Sequence, residues 1–286
     1  MEKMRTTIVA AMILLLSLNI YSQESFVSKR LEKVWATQAG LNVPESSHYN
    51  KEDHLIYVSN IVGKYNVKDG NGYISKLNEK GEFVEKEWVT GLNAPKGIDC
   101  TKTKLYVTDI DRVVEVNLKS GKIIKTYTNG KVKSLNDISI ASNGRVYVSD
   151  SKGNCIFQVG KDSLEVFLES NELESMNGIY AKDNLLYLGS KGNFISVDQK
   201  TKALKVLVKE VGYLDGIEQI APEVFVTSDW SGKVQLIRLG KGIETILDSS
   251  SLKINAADLG YIPSEKLLLV PTFSDNHVVA YKLDFE

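Results

Sequence analysis

Cysteine is almost missing from this chain. Cys100 and Cys155 are the only two among 286 residues, and no Cys-x-x-Cys pair occurs. A metal site built on cysteines is therefore excluded. One disulfide or two buried free thiols remain as the options. An excess of charge of either sign is also missing: 35 basic and 36 acidic residues leave a net charge of −1, with no block of like charge. That excludes the basic face a nucleic-acid partner needs, and it excludes a charged interaction tail. No Gly-x-Ser-x-Gly elbow is present, so a serine hydrolase of that type is not indicated. Beyond residue 20 the chain has no helical periodicity of useful length.

One apolar run does occur, at the N-terminus. Lys3 and Arg5 precede it, Thr6 to Ile20 form it, and Tyr21-Ser22-Gln23 ends it with a small residue. The run is short for a membrane span and long enough for a secretory signal. Residues 1–22 are expected to be a cleaved signal peptide and residues 23–286 the mature domain, exported to the periplasm or the exterior. No cysteine follows the run, so a lipoprotein anchor is not expected, nor any membrane association after cleavage.

From about residue 40 the sequence repeats. Six segments read as the same strand: Leu55–Ser59, Leu105–Asp109, Val146–Asp150, Leu186–Ser190, Val224–Ser228 and Leu267–Pro271. Their β-branched and aromatic residues end on small or turn-forming ones, which is a strand signature. Each is preceded by a shorter strand: Pro95–Ile98, Leu135–Ile138, Met176–Ile179, Leu214–Ile217 and Ala256–Leu259. The second residues of these openers are spaced by 40, 41, 38 and 42. About 40–45 residues is the length of a four-stranded propeller blade. The first unit, opening at Pro44-Glu45, is longer, with its excess in a Gly-rich loop at Val67–Gly72. The last unit lacks a strand, and Val34–Thr37 can supply it. The pattern predicts an all-β, six-bladed β-propeller closed by an N-terminal strand.

In a propeller the first strand of each blade lines the channel, so equivalent positions form a ring. That ring reads Glu45, Lys96, Asn136, Asn177, Asp215 and Ala257. Two carboxylates and two amides present hard oxygen donors of formal charge −2. A single divalent metal matches them, with Ca²⁺ expected first and Mg²⁺, Mn²⁺ or Zn²⁺ as alternatives. Local turn chemistry alone also favours Asn and Asp at strand starts.

These segments resemble the gluconolactonase/regucalcin superfamily, which includes the paraoxonases and squid-type diisopropyl fluorophosphatase. Val43-Pro44-Glu45 followed by Leu55-Ile56-Tyr57-Val58-Ser59 resembles its opening Glu and first strand. Asn136-Asp137, Met176-Asn177-Gly178-Ile179 and Leu214-Asp215-Gly216-Ile217 resemble its Asn-Asp, Pro-Asn-Gly-Leu and Pro-Asp-Gly-Met units. The resemblance implies a metal on Glu45, Asn136, Asn177 and Asp215, with Asp215 orienting or deprotonating a water. The expected activity is hydrolysis of a small-molecule lactone or related ester; the alternative is a non-catalytic ligand- or protein-binding propeller. Lys96 stands where the paraoxonase branch has histidine, and it is a candidate for stabilising negative charge or binding substrate. Ser46 replaces the Asp that holds a second calcium in some relatives, so no second calcium is expected. Loops after the second strand should surround the same mouth as the ring, among them Thr272 to His277, and Asp150, Asp229, Trp230 and His277 in them complete the candidate substrate-binding set. Oligomeric state is not legible.

Overall fold

The computed structural model describes residues 25–286. The expected signal peptide and its boundary at residue 22 lie outside the described residues. Six antiparallel sheets form a ring of blades. The first runs Pro44–Asn50, Leu55–Asn60, Gly72–Asn78, Phe83–Leu92; the second Pro95–Cys100, Lys104–Asp109, Arg112–Asn117, Ile123–Thr128. The third runs Leu135–Ile140, Val146–Asp150, Cys155–Val159, Leu164–Glu169; the fourth Ile179–Lys182, Leu185–Ser190, Asn193–Asp198, Leu204–Val208. The fifth runs Leu214–Ala221, Val224–Asp229, Lys233–Arg238, Gly242–Asp248; the sixth Gly260–Ile262, Leu267–Pro271, Val278–Leu283. The sixth blade takes its outer strand from the other end of the chain. Leu31–Ala36 pairs antiparallel with Val278–Leu283, Leu31 opposite Leu283 and Ala36 opposite Val279. Phe26–Val27 adds a short fifth strand to the outer edge of the fifth blade. Among the described residues no helix is long and apolar enough to cross a membrane.

Alternation within each strand explains why blades stack. Successive side chains point to opposite faces, and here both faces are apolar. In Leu55–Asn60, Ile56 and Val58 pack toward Leu267 and Leu269 of the sixth blade, while Tyr57 packs toward Val107 and Val114 of the second. The same division repeats around the ring, giving one buried cluster at each of the six interfaces between neighbouring blades. Each fully buried Phe or Leu in them, such as Phe225 or Leu186, contributes roughly 1.5–3 kcal/mol.

The inner strands share a local irregularity. In the first, second, third and fifth blades the pairing with the second strand slips just after the ring residue, between Pro44 and Ser47, Pro95 and Ile98, Leu135 and Ile138, and Leu214 and Ile217. A bulge of this kind frees backbone groups and re-aims side chains. A hydroxyl on the second strand takes up the freed N–H: Ser59 accepts from Ser46, Ser149 from Asp137, and Ser228 from Gly216 at 2.7 Å. Blades crowd together next to the ring. A side chain at Gly97 would collide with Asp137 of the next blade, and one at Gly178 with the carbonyl of Asp215. At Met176–Ile179 and Ala256–Leu259 the regular ladder starts later than the sequence pattern suggests, at Ile179 and Gly260. The reason is visible in the backbone: Gly178 N–H donates to Leu214 O, and Asp258 N–H to Glu45 O. Both stretches bond across to the neighbouring blade, and Ala256–Leu259 keeps one bond to its own, from Ala257 N–H to Pro271 O.

Candidate functional site

Five ring residues meet in one cavity, four of them at a bulge and Asn177 just ahead of its ladder. Glu45, Lys96, Asn136, Asn177 and Asp215 line a hollow of about 580 Å³ at one end of the channel. The sixth ring member, Ala257, is fully buried and does not line it. Above the ring the walls are largely apolar, made by Ile61, Tyr65, Tyr213, Trp230 and Phe273 with Asp229 and Ser231. Trp230 and Phe273 meet edge to face at 5.5 Å, an arrangement favoured by the ring quadrupoles. Lys152 sits 5.8 Å from the Tyr65 ring.

The polar floor is poorly satisfied from within the protein. Asn177 Nδ2 donates to Asp215 Oδ1 at 2.6 Å. Glu45 Oε2 and Asn177 Oδ1 are buried without a hydrogen-bond partner among the described residues. Buried polar atoms are normally paired, and an orphan calls for a ligand or another explanation. Burial and then the proximity of Asp215 push the Glu45 carboxyl well above its ordinary range, against the pull of Lys96. Asp215 is pushed the same way, first by burial and then by Asp258, with the Asn177 hydrogen bond opposing. Lys96 is only 5 % exposed. Its ammonium makes one long hydrogen bond, 3.5 Å to the Leu135 carbonyl. Burial lowers its pKa and the charge of Glu45 opposes that shift. Two carboxylates, two amides and one ammonium thus share a pocket in which burial outweighs the pull of Lys96 on both carboxylates. Among the described residues no group of three or more His, Cys, Asp or Glu side chains is arranged to hold a metal. A cation here depends on the amide oxygens of Asn136 and Asn177.

The outer candidates divide. Asp229 and Trp230 line the cavity. Asp150 does not. Its buried carboxylate accepts from the backbone N–H groups of Lys133, Ser134, Lys152 and Gly153, which ties the second strand to the loop entering the third blade. Asp109 does the same with Asn93 and Ala94 and pairs with Arg112. His277 is also diverted; its Nδ1 lies 2.6 Å from the Asp275 carbonyl, and it is not among the cavity walls. His48 faces the opposite mouth, 3.2 Å from Cys100 Sγ. Cys100 and Cys155 are both free thiols. Burial, followed by Glu169, pushes the Cys155 thiol up to about 12.

Sequence reasoning missed Ile61, Tyr65, Tyr213 and Ser231, and it reached Phe273 only as part of the loop Thr272 to His277. Tyr213 lies two residues before Asp215, and burial followed by the Asp215 charge raises its phenol to about 12. The long loop of the first blade was the available signal for Ile61 and Tyr65: it projects from the second strand of that blade over the ring.

No protein-family model matches the sequence, and no curated protein matches it. Among solved structures, the chain is similar to a streptogramin B lyase, with 12 % identity and a TM-score of 0.64, over 91 % of this chain and 98 % of that one. It is similar to a catalytically inactive histidine-to-alanine variant of virginiamycin B lyase from Staphylococcus aureus with quinupristin, with 12 % identity and a TM-score of 0.60, over 91 % of this chain and 100 % of that one. It is also similar to a chain of a nidogen/laminin complex, with 16 % identity and a TM-score of 0.63, over 75 % and 87 % of the two chains. At these identities the likeness shows the six-bladed propeller fold. The neighbours include both an enzyme and a propeller solved within a binding complex.

Proposed function

We propose that this protein is a metal-dependent hydrolase that opens a lactone or related ester in the cavity above Glu45, Asn136, Asn177 and Asp215. The observation that carries the reading is the pair of buried, unpartnered oxygens, Glu45 Oε2 and Asn177 Oδ1, in a cavity that Asn136 and Asp215 share. Those four side chains fit a hard divalent cation, Ca²⁺ first and Mg²⁺, Mn²⁺ or Zn²⁺ as alternatives, with waters completing the shell. Such a cation, when bound, supplies Lewis acidity toward a carbonyl and charge for the developing oxyanion.

The chain's own groups do the rest. Asn177 fixes one oxygen of Asp215, leaving the other to orient a water or take its proton. Lys96, held at the floor by a single long hydrogen bond, supplies a positive charge for the opened carboxylate or an anionic part of the substrate. Trp230, Phe273 and Tyr65 form an apolar collar that receives the body of the ester and sheds its water. No histidine lines the cavity, so the reading assigns no role to histidine and differs there from the lyase neighbour, whose histidine-to-alanine variant is described as inactive. The second reading is a binding propeller that keeps the metal. The engagement of Asp215 with Asn177 supports it, because a carboxylate so held is a weaker base.

The test is hydrolysis of a lactone panel with CaCl₂ or EDTA, by wild type and Asp215→Ala, alongside thermal melts. Hydrolysis requires added cation and falls by about 10²-fold or more in Asp215→Ala. Equal rates in the two proteins would reject the mechanism. A cation-dependent rise in melting temperature without turnover would favour the binder.

A further inference from the structure

The channel has a second mouth, and its chemistry differs from the first. Moving three residues along each inner strand from the ring gives His48, Asp99, Ser139, Tyr180 and Glu218. All five line a cavity of about 380 Å³ at the far end. Ser47, Asp258 and Tyr261 line it too.

Most of its acidic groups already have structural work. Asp99 accepts from the backbone N–H groups of Ile140 and Cys100 and lies 3.6 Å from His48 Nε2. Asp137 accepts from Ile179 and Ile138. Asp258 accepts from Ser46 Oγ at 2.5 Å. Glu218 and the exposed Asp183 are the exceptions: among the described residues neither carboxylate has an ion pair or a hydrogen bond, and of the two Glu218 is the more buried. Lys51 and Lys182 reach the rim of the same cavity without pairing with it. Independently of the carboxylates, Ser47 Oγ is a buried atom with no partner, on a residue only 2 % exposed, in the wall of this cavity. A hydroxyl and a carboxylate without partners among the described residues therefore belong to the walls of one hollow, which Tyr180 and Tyr261 also line.

From this arrangement we infer that the far mouth is a binding site for a small ligand carrying a primary ammonium group. An alkylammonium has three N–H donors. Glu218 and Ser47 can take two of them, and the faces of Tyr180 and Tyr261 attract the same charge. Glu218 stands above its ordinary carboxylate range because of burial and then the charges of Asp258 and Asp99; a bound cation answers that deficit. The rim lysines offer a place for a negative group at the other end of the ligand. This site is separate from the cavity lined by Glu45 and Asp215 and does not depend on the proposed hydrolysis.

The probe is n-butylamine hydrochloride at neutral pH, with n-butanol as its uncharged counterpart, followed by NMR chemical-shift titration of the full mature chain in EDTA. Wild type is expected to bind the amine with a dissociation constant on the order of 1 mM, as suits five heavy atoms, and to shift the Tyr180 and Tyr261 ring signals. Glu218→Gln weakens binding by about tenfold or more, and Ser47→Ala by about threefold. Asp215→Asn leaves it unchanged. Absence of a titration in wild type would overturn the inference. So would equal binding of n-butanol, loss of binding in Asp215→Asn, or full displacement of the amine by CaCl₂, which would make the mouth an inorganic-cation site. Ser47→Ala gives the same reading if Glu218→Gln does not fold.

Discussion

Glu115 and Glu45 are both buried glutamates in this propeller, and their surroundings drive them in opposite directions. Glu115, in the third strand of the second blade, pairs with Lys104 at 2.7 Å and accepts from the Tyr127 hydroxyl at 2.5 Å. Burial alone would raise its pKa, but these partners outweigh burial and hold the carboxyl below its ordinary range. Glu45 has no such partner for Oε2 and is pushed up. The difference separates a carboxyl satisfied within the fold from one whose second oxygen finds no partner among the described residues. A glutamate with a depressed folded pKa adds stability above its unfolded pKa and loses it as pH falls through the folded value. Glu115→Gln is therefore expected to cost about 1–3 kcal/mol at pH 7, because Lys104 loses its partner and the Tyr127 hydroxyl a charged acceptor. The cost shrinks below pH 4. Urea denaturation of the two proteins at pH 7 and pH 3.5 checks this; a penalty independent of pH would show that packing, not charge, is what Glu115 supplies.

Among the elements, the bulged inner strand decides where the functional groups point, and the second strand holds the bulge in place. Ser228 shows this most fully. It is buried, its Oγ accepts from Gly216 N–H at 2.7 Å, and it donates to the Ala257 carbonyl of the sixth blade at 2.7 Å. Removing the hydroxyl strands a donor beside Asp215 and an acceptor across the interface. Ser228→Ala is expected to lower stability by about 1–3 kcal/mol and to reduce the cation-dependent gain in melting temperature, whereas a distant cavity mutation of equal cost leaves that gain intact. Paired melts with CaCl₂ and EDTA separate the two cases. This division also explains what could be read before the structure. The six Leu-Tyr-Val-type strands and the spacing of their openers are periodic, so the blades and the gathering of five ring residues into one cavity followed from register, while the strand missing from the last unit pointed to Val34–Thr37 and is found at Leu31–Ala36. Loop paths have no period. Asp150 and Asp229 end equivalent strands, yet Asp150 is consumed by four backbone donors while Asp229 reaches the cavity. His277 and Phe273 share one loop, and only Phe273 lines the site. Which of two like residues faces ligand depends on which backbone N–H groups lie within reach, and sequence spacing does not encode that.

For the molecule as a whole, the channel gathers carboxyl groups along the propeller axis, among them Glu45, Asp215, Asp258 and Glu218. Asp258 and Glu218 belong to that column, and among the described residues neither is matched by a lysine or arginine at ion-pair distance. Burial, opposed by the Ser46 hydrogen bond, raises Asp258 from its ordinary 3.8 to about 7. Burial, reinforced by Asp258 and Asp99, raises Glu218. An acid whose folded pKa exceeds its unfolded value is most favourable to folding below the unfolded pKa. As pH rises the unfolded chain releases the proton first, so stability drops until the folded group ionises too. In EDTA the protein is therefore expected to lose a few kcal/mol of stability between about pH 4 and pH 7, opposite in sign to the contribution of Glu115. Asp258→Asn keeps an acceptor for Ser46 and removes the charge, so it should match wild type near pH 4 and exceed it at pH 7. Urea titrations across that range, read by tryptophan fluorescence, decide the matter. A wild type that gains stability toward neutrality in EDTA would mean that the axial carboxylates are compensated inside the protein. A wild type that loses it, and regains it with a divalent cation, is a scaffold whose axis is completed by what it binds.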